Sequence, residues 1–288
     1  MKIRSLFEKK KTVISLEVFP PKKDTGTKEI YDTLTQLKSL SPDFISVTYS
    51  AGGSGGTDIT FDIASFIKNT CMIEALPHLT CIQATPEEID RCVKKLLANG
   101  IENIMALRGD MPPDTSPASS HYRYAKDMIT HIRQKHGDFC IGAAAYPEGH
   151  LEADSFEQSL FHLNEKANVG ADFFVTQLFF DNSAYYRFLE QARKTGISIP
   201  ISAGIMPILG RSQIEKMIFM CGVSLPAQII RILNKYENDP KSLIAAGVDY
   251  SGAQIDDLVS HGVDGVHIYT MNRPQIGRQN IERMRKIL

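Results

Sequence analysis

Long apolar stretches are what this sequence most plainly lacks. A membrane-spanning helix needs about 18 uncharged apolar residues in a row, and no run here approaches that length. The opening residues, MKIRSLFEKKK, also lack the apolar core of a secretory signal peptide. We therefore expect no membrane association and no export, and we predict a cytoplasmic location.

An excess of charge of either sign is also missing. The 288 residues carry 32 basic and 33 acidic side chains, which gives a formal net charge of -1. This balance creates no broad positive field that would attract a polyanion, so we expect no nucleic-acid partner. The run Lys9-Lys10-Lys11 is interpreted as a solvated surface segment.

The chain has no paired cysteine framework. The number of cysteines is odd and none form a CxxC pair, so we expect reduced, mostly buried thiols. His78 is near two of them in sequence, but the spacing matches no tetrahedral zinc site, and we predict no metal. The cysteines are Cys71, Cys81, Cys92, Cys140 and Cys221.

An eightfold alternation of strand-like and helical patterns is what the sequence does contain. In the clearest helix Thr85 is the predicted N-cap, Pro86 the first helical residue and Gly100 the C-cap. The apolar runs lie near 12–19, 43–50, 73–81, 102–110, 139–147, 172–180, 200–206 and 264–271. The helical patterns lie at 28–40, 60–69, 85–100, 123–136, 155–168, 183–195, 212–221 and 274–287.

Repeated strand and helix units imply parallel strands joined by right-handed crossovers. Eight such units suit a closed barrel better than an open sheet. We predict an α/β fold, a (β/α)8 TIM barrel, with 1–288 as a single domain. The segment 225–261 is longer than one crossover needs, so we predict a helical insertion before the last strand, with a second helix starting near Gly252.

Polar and charged side chains collect at the predicted C-terminal strand ends, the rim where TIM barrels carry active sites. In the first strand Leu16 and Val18 face one side and Glu17 faces the other. Glu17 should therefore point into an enclosed mouth, where burial would raise its pKa and keep it protonated. The other strand-end groups are Ser46, Thr48, Tyr49, His78, Thr80, Arg108, Gly109, Asp110, Tyr146, Glu148, His150, Gln177, Thr270 and Arg273.

Several of these residues also have a purely structural interpretation. Glu17 could be a structural carboxylate paired with Arg108, and Arg108 could instead form a simple salt bridge with Asp110. His78 could be a core histidine. Gln177 is a buried amide that must find partners, which a bound heterocycle could provide. The convergence of these groups on one rim favours a functional site.

Seven strand-end motifs, taken together and in order, resemble the methylenetetrahydrofolate reductase family. Each motif alone would be weak, but the joint pattern runs from one end of the chain to the other and is highly specific. The motifs are Leu16-Glu17-Val18-Phe19-Pro20-Pro21-Lys22, Ser46-Val47-Thr48-Tyr49, Pro77-His78-Leu79-Thr80-Cys81, Ala106-Leu107-Arg108-Gly109-Asp110, Ala145-Tyr146-Pro147-Glu148, Thr176-Gln177-Leu178-Phe179-Phe180-Asp181 and Tyr269-Thr270-Met271-Asn272-Arg273.

The resemblance implies a flavin-binding catalytic barrel, similar to the short bacterial form without an added regulatory domain. It implies that NADH or NADPH reduces bound FAD, and that the flavin then reduces 5,10-methylenetetrahydrofolate to 5-methyltetrahydrofolate. This reaction feeds methionine synthesis and one-carbon metabolism. Glu17 would be the general acid that helps to open the folate ring, and Asp110 would tune the flavin and favour the cation that ring opening creates.

The resemblance also implies the binding residues. Folate would be held by Asp110, Gln177, Gln213 and Arg273, with Arg273 on the glutamate carboxylate. FAD would be held by Tyr49, Ala51, His78, Arg108, Gly109, Asp110, Ala125, Tyr146, His150, Ala153 and Lys166, with Thr48 near the nicotinamide.

Two departures from the family pattern concern ligand contacts. Ser159, His162 and Glu165 stand where the family often has an acid, an amide and a base near the ADP half of FAD, so only Lys166 carries over there. Met217 stands where an aromatic residue often stacks on folate.

Two other functions would also suit a barrel. A lyase or aldolase would need a Schiff-base lysine or a metal cluster at a strand end, and the sequence places neither there. A subunit of a larger electron-transfer complex would reduce folate with electrons from a partner, but Glu17 and Asp110 favour a chain that is itself catalytic. The sequence leaves open NADH against NADPH and whether the chain forms a homo-oligomer.

Overall fold

A closed barrel of eight parallel strands forms the centre of the molecule, in a computed structural model that describes residues 1–21, 28–49, 54–110 and 121–288, with backbone alone at 54–57. The strands pair in chain order, and the last pairs with the first. The predicted TIM barrel is confirmed. The strands are β1 (Val13–Val18), β2 (Phe44–Val47), β3 (Glu74–Thr80), β4 (Asn103–Leu107), β5 (Cys140–Ala145), β6 (Phe173–Thr176), β7 (Ile201–Ile205) and β8 (Gly265–Tyr269).

Helices cover the outside of the barrel. The predicted cap of the fourth is present: Thr85 accepts from the Glu88 N–H at 3.2 Å, and Glu88 accepts from the Thr85 N–H at 2.8 Å. Among the described residues, no helix has both the length and the apolar character to cross a bilayer. The helices are α1 (Arg4–Lys9), α2 (Lys28–Lys38), α3 (Ser54–Phe66, followed by a π-helical turn at Ile67–Cys71), α4 (Pro86–Ala98), α5 (Ala125–His136), α6 (Phe156–Asn168), α7 (Asn182–Lys194), α8 (Arg211–Cys221), α9 (Ala227–Lys235), α10 (Pro240–Ser260) and α11 (Pro274–Met284).

The lower half of the barrel interior is apolar and closed from below. Ile3 and Leu6 of α1 pack onto the interior cluster, which they share with Phe44, Met105 and Phe173. The sequence pattern does not predict α1, because six residues are too few to show a helical period. In the described part of the chain the floor is thus filled, and the mouth cavity lies at the C-terminal ends of the strands.

The insertion before β8 consists of α9 and α10, as predicted, but the second helix does not start near Gly252. It begins at Pro240 and passes through Gly252. A Cβ at Gly252 would lie 2.8 Å from Nη1 of Arg283 on α11. This glycine is therefore explained by the close approach of two helices and not by a chain turn.

Candidate active site

Glu17 lies on the inner face of β1, at the C-terminal mouth of the barrel. Leu16 and Val18 are fully buried toward the surrounding helices, so strand alternation turns Glu17 inward, as the sequence predicts. Its side chain is 13% exposed. A carboxylate this enclosed needs partners, and the structure provides them from three other strands.

One carboxylate oxygen, Glu17 Oε2, is the centre of a buried polar network. His267 Nε2 on β8 lies 3.2 Å from it, and Ser46 Oγ on β2 donates to it at 3.0 Å. His78 Nε2 on β3 lies 3.4 Å away but is not aligned for a hydrogen bond. Ser15 Oγ contacts Nδ1 of His267 at 2.8 Å. Two imidazoles and one hydroxyl thus surround the carboxylate, and Ser15 contacts the far side of one imidazole.

These partners reverse the direction in which the pKa of Glu17 is expected to shift. Burial by itself raises the pKa of the carboxyl, and this was the basis of the sequence prediction. The neighbouring imidazoles of His267 and His78 outweigh burial and hold the pKa of Glu17 well below its usual range. The expectation of a protonated acid is therefore wrong for this structure, in which Glu17 is ionised at neutral pH.

His267 is the residue that the sequence analysis missed. It is 1% exposed and sits between Val266 and Ile268, both fully buried. Strand alternation turns His267 inward for the same reason as Glu17. A polar residue between two buried apolar ones on a barrel strand must face the interior. That signal was available in the strand pattern.

Tyr269, at the end of β8, reaches past the neighbouring strand β7 to β6. Its hydroxyl donates to the Thr176 carbonyl at 2.9 Å. Gly204 on β7 makes room for the ring, since a Cβ there would lie 2.9 Å from the Tyr269 hydroxyl. The ring thereby forms part of the wall beside Glu17.

The end of β1 is held by the segment that follows β8. Thr270 Oγ1 donates to the Glu17 carbonyl at 2.6 Å. The Asn272 side chain accepts from the Phe19 N–H at 3.0 Å and donates to the Phe19 carbonyl at 2.8 Å. Asn272 adopts a positive φ of 53° to reach both groups. These bonds fix the backbone on either side of the buried acid.

A cavity of about 970 Å³, hereafter the mouth cavity, opens above Glu17 and collects most of the predicted site. This volume lies at the upper end of ordinary ligand pockets. Ala51 lies outside the described residues. The predicted site residues that line the cavity are Glu17, Thr48, Tyr49, His78, Arg108, Gly109, Asp110, Tyr146, His150 and Gln177.

Arg108 pairs with neither of the partners that the sequence suggested. Its guanidinium makes a two-pronged contact with Glu152, with nitrogen to oxygen distances of 2.5 and 2.7 Å. Asp110 is exposed on the rim and pairs with no cation in the described part of the chain. Neither of the two structural alternatives, Arg108 paired with Glu17 or with Asp110, is therefore formed among the described residues. Asp110 remains an uncommitted negative charge at the mouth.

Lys166, behind the cavity wall, is a cation without a counter-ion. Its amine donates to the Ala144 carbonyl and lies 5.6 Å from the ring centre of Tyr146 and 5.8 Å from that of Phe174. No carboxylate within the described ranges forms an ion pair with it. Burial lowers the pKa of Lys166 to about 8, so it is still charged at neutral pH.

The residues around Lys166 explain the departures on α6. Ser159 accepts from the His150 N–H at 3.2 Å, so it orders the turn that carries His150. Glu165 pairs with Lys126 and contacts His162 at 2.9 Å. His162, Glu165 and Lys126 thus contact one another, whereas Ser159 binds backbone. The two predicted alanines, Ala125 and Ala153, lie on the same side, at the first residue of α5 and in the turn after His150.

The predicted folate residues do not all meet in the mouth cavity. Gln177 lines it, and its amide oxygen accepts from the Leu178 N–H at 2.9 Å. The Gln213 amide is bound to backbone instead, accepting from Leu209 N–H at 2.7 Å and donating to the Pro207 carbonyl at 3.1 Å. Arg273 borders a different cavity, between α10 and α11. Of the four predicted folate residues, Asp110 and Gln177 thus line the mouth cavity, and Gln213 and Arg273 do not.

Met217 on α8 is partly buried, against an apolar cluster that includes Tyr269 and Met271. It therefore contributes an apolar side chain beside the mouth where the family often has an aromatic ring.

The described residues contain no group of three or more His, Cys, Asp or Glu side chains placed to hold a metal. All five cysteines are free thiols. Burial raises the pKa of Cys81 and of Cys140 to about 12 and that of Cys92 to about 11, so these three are unreactive near neutral pH.

Comparison with known sequences identifies relatives over nearly the whole chain. The methylenetetrahydrofolate reductase family model matches residues 2–284. The chain is 36% identical to 5,10-methylenetetrahydrofolate reductase of Escherichia coli K12, covering 91% of this chain and 87% of that protein. It is 35% identical to methylenetetrahydrofolate reductase (NADH) 1 of Arabidopsis thaliana, over 94% of this chain and 48% of that one. The chain thus spans about half the length of this plant relative.

Among solved structures, a Clostridium thermocellum protein that binds two copies of 5-methyl-5,6,7,8-tetrahydrofolic acid superposes with a TM-score of 0.67. The match covers 99% of this chain and 97% of that one, at 16% sequence identity. At that identity the likeness shows a shared fold.

Proposed function

The chain belongs to the methylenetetrahydrofolate reductase family, and from this we propose that it reduces 5,10-methylenetetrahydrofolate to 5-methyltetrahydrofolate with FAD and NADH or NADPH. The single observation that carries the proposal is the buried acid Glu17, with His267 and Ser46 bonded to it, at the floor of a cavity open to the strand ends. We place the reaction in the cytoplasm, where it would supply the methyl group used for methionine synthesis. The whole chain would act as one catalytic domain.

Three features of the mouth support FAD as the cofactor. Lys166 is a cation that lacks an anionic partner, which a diphosphate would supply. His78 Nε2 is buried without a hydrogen-bond partner in the described part of the chain. Gly109 has a φ of +88°, and its bare backbone lets a flat ring approach the end of β4. When bound, FAD would accept a hydride from the nicotinamide and deliver it to the folate.

Apart from Ala51, the residues that we propose for this cofactor come from the ends of β2 to β5 and the turns that follow them, the first residue of α5 and the last turn of α6. Ala51 stays on the list as an expectation from the family pattern alone. The proposed set is Thr48, Tyr49, Ala51, His78, Arg108, Gly109, Asp110, Ala125, Tyr146, His150, Ala153 and Lys166.

The low pKa of Glu17 changes how the acid would work. An ionised carboxylate cannot donate a proton, so the proton for ring opening must first reach Oε2. His267 Nε2, 3.2 Å from that oxygen, is in position to share one proton with Glu17. We therefore assign the acid function to the Glu17–His267 pair.

Asp110 and Gln177 would bind and stabilise the folate at the rim. Asp110 forms no ion pair with the described residues, and its charge would stabilise the cation that forms when the folate ring opens. Within the described ranges the Gln177 side chain uses only its oxygen, so its amide nitrogen would donate to a bound heterocycle. Arg273 would bind the glutamate carboxylate of the same ligand. Gln213 would stabilise the loop before α8 through its bonds to the backbone.

The test is the spectrum and redox behaviour of the purified protein. We expect a yellow protein that releases FAD on heating, is bleached by NADH or NADPH without oxygen, and recovers its colour when 5,10-methylenetetrahydrofolate is added. A colourless protein that takes up no FAD would contradict the proposal. Bleaching only in the presence of a cell extract would favour the alternative, a barrel subunit that receives electrons from a partner.

A further inference from the structure

Ser15 is buried beneath the Glu17–His267 pair, and the reaction proposed above does not use it. It lies two residues before Glu17 on β1, so both side chains share the inner face of that strand. Ser15 is 0% exposed and does not line the mouth cavity. Its register partner on β8 is His267, and Ser15 Oγ lies 2.8 Å from Nδ1 of that ring. A partner this close to one ring nitrogen decides where the ring carries its hydrogen.

The hydrogen of the Ser15 hydroxyl has an acceptor of its own. Ser15 Oγ donates to the Val266 carbonyl at 3.3 Å, and a carbonyl can only accept. Because a serine has a single hydrogen to donate, Oγ then presents a lone pair to His267. Nδ1 of His267 must therefore carry a hydrogen.

Ser46 imposes the same condition on the other ring nitrogen. Its hydroxyl donates to Glu17 Oε2 at 3.0 Å and lies 3.3 Å from Nε2 of His267, so it also presents a lone pair to the ring. A bare Nε2 would face lone pairs of both Ser46 and Glu17, which is a repulsive contact. One further proton between Nε2 and Oε2 removes the repulsion, whether it rests on His267 or on Glu17. The pair thus holds one proton that can be transferred.

Other titratable side chains face the pair from β3 and β8. His78 Nε2 lies 3.4 Å from Glu17 Oε2, and the Tyr269 ring stands edge-on to the His267 ring, with 5.4 Å between ring centres. Burial holds the pKa of Tyr269 well above its ordinary value, so this phenol stays neutral. The described residues place no lysine, arginine or second carboxylate in hydrogen-bond or ion-pair contact with the pair. The exchangeable protons around the carboxylate therefore belong to Glu17, His267 and His78.

We propose that Ser15 is a positioning residue for folate reduction: it accepts a hydrogen bond from Nδ1 of His267 and so leaves Nε2 to share with Glu17 the proton that opens the folate ring. That proton passes from Oε2 to the folate nitrogen whose C–N bond breaks, and the electron pair of the bond stays on this nitrogen. Glu17 is left ionised beside a bare Nε2 until a proton returns from solvent. This inference rests on the proposed folate reduction and adds a residue that acts through His267.

The first test examines the His267 ring in the resting protein, which needs no turnover. Nitrogen NMR of the purified protein, labelled at histidine and carrying the cofactor that it retains, distinguishes protonated from bare ring nitrogens, and His267→Phe identifies the signals. We expect a protonated Nδ1 in the wild type at neutral pH. In Ser15→Ala the Nδ1 hydrogen has lost its acceptor, so Nδ1 should become bare and Nε2 should donate to the ionised Glu17. Ser15→Thr keeps the hydroxyl and should keep the wild-type pattern.

The second test is the pH dependence of folate reduction, measured by stopped flow. Without the Ser15 contact the pair should lose its proton about one to two pH units lower, the equivalent of one charge-assisted hydrogen bond. Above the wild-type midpoint, folate reduction by Ser15→Ala should therefore be about 10- to 100-fold slower, and it should recover as the pH is lowered. Reduction of the flavin by NADH should stay within a few-fold of wild type.

Ser202→Ala is the matched control, because Ser202 is a fully buried serine on β7 whose hydroxyl has no hydrogen-bond partner among the described residues. It should leave the His267 signals and the pH midpoint unmoved. The inference is overturned by a bare Nδ1 in the wild type, by an unchanged ring in Ser15→Ala, or by a loss of rate that lower pH does not restore. A wild type that shows the expected ring but reduces no folate would instead overturn the proposed folate reduction itself.

Discussion

His267 Nε2 lies 3.2 Å from Glu17 Oε2, and the two residues are 250 positions apart in the chain. They meet because β8 closes the barrel against β1, where His267 is paired in register with Ser15 and Tyr269 with Glu17. The imidazole lowers the pKa of the buried acid and is the nearest titratable side chain to it among the described residues. The protonation of this carboxylate thus depends on barrel closure.

Replacing Glu17 by Gln tests the acid directly. The amide keeps the shape but has no proton to transfer, so folate reduction should fall by about 10²–10⁴-fold. Reduction of the flavin by NADH needs no acid and should stay within a few-fold of wild type. Stopped-flow measurement separates the two half-reactions, with Glu87→Gln on the outside of α4 as control. Wild-type folate reduction by Glu17→Gln would show that another group is the acid.

Replacing His267 by Phe should raise the pKa of Glu17. The variant removes the strongest opposing contact, so the effect of burial on the carboxyl is no longer outweighed. Infrared difference spectra against Glu17→Gln follow the protonated carboxyl band during a pH titration. We expect the band to appear at higher pH in His267→Phe than in wild type, while His121→Phe, at an exposed site, leaves the midpoint unmoved. An unchanged midpoint in His267→Phe would contradict the assigned cause.

The lowered pKa of Glu17 in the wild type should make the stability of the fold depend on pH. The folded-state pKa of Glu17 lies below its ordinary value of 4.5, so the ionised form stabilises the fold at higher pH. That contribution is lost as pH falls below about 4.5, through the folded-state pKa. The difference in free energy of unfolding between wild type and Glu17→Gln, from urea titrations, should therefore shrink with acidification. A difference that grows would mean that the pKa is raised.

Lys166 should make FAD binding pH-dependent. Its pKa of about 8 means that the amine is charged below that pH and neutral above it, and a diphosphate binds the charged form. FAD affinity should therefore fall as pH rises through about 8. Lys166→Arg stays charged and should remove the dependence, whereas Lys166→Met should lose about 1.5–3 kcal/mol of binding already at neutral pH. Fluorescence of released FAD measures all three, and an equal decline in Lys166→Arg would exclude this lysine as the cause.

Asn272 should stabilise the mouth through its two bonds to Phe19. Asn272→Gly removes both bonds while tolerating the positive φ, and should cost about 1–3 kcal/mol of unfolding free energy. Asn272→Ala loses the same bonds and adds about 1 kcal/mol or more of backbone strain, since alanine disfavours a φ of 53°. Urea unfolding of the two variants separates hydrogen bonding from strain. Equal stability of the two would mean that strain contributes nothing.

Local pattern alone was enough to predict the barrel and the direction of its key acid. Eight apolar runs that alternate with helical periods admit few other topologies, and strand alternation turns Glu17 inward without knowledge of its neighbours. The cap at Thr85 was predictable for the same reason, since all its atoms lie within four residues. The family resemblance depends on such short strand-end motifs and is confirmed over residues 2–284.

Tertiary structure decided how those residues interact. The sequence allowed Arg108 to pair with Glu17 or with Asp110. In the fold Arg108 pairs with Glu152, and Glu17 contacts His267. The fold also separates Arg273 from Gln177. Both are predicted at C-terminal strand ends, but they border different cavities. Side-chain partners and pKa values depend on distances between strands and helices far apart in the chain, and these distances exist only once β8 has paired with β1 and closed the barrel.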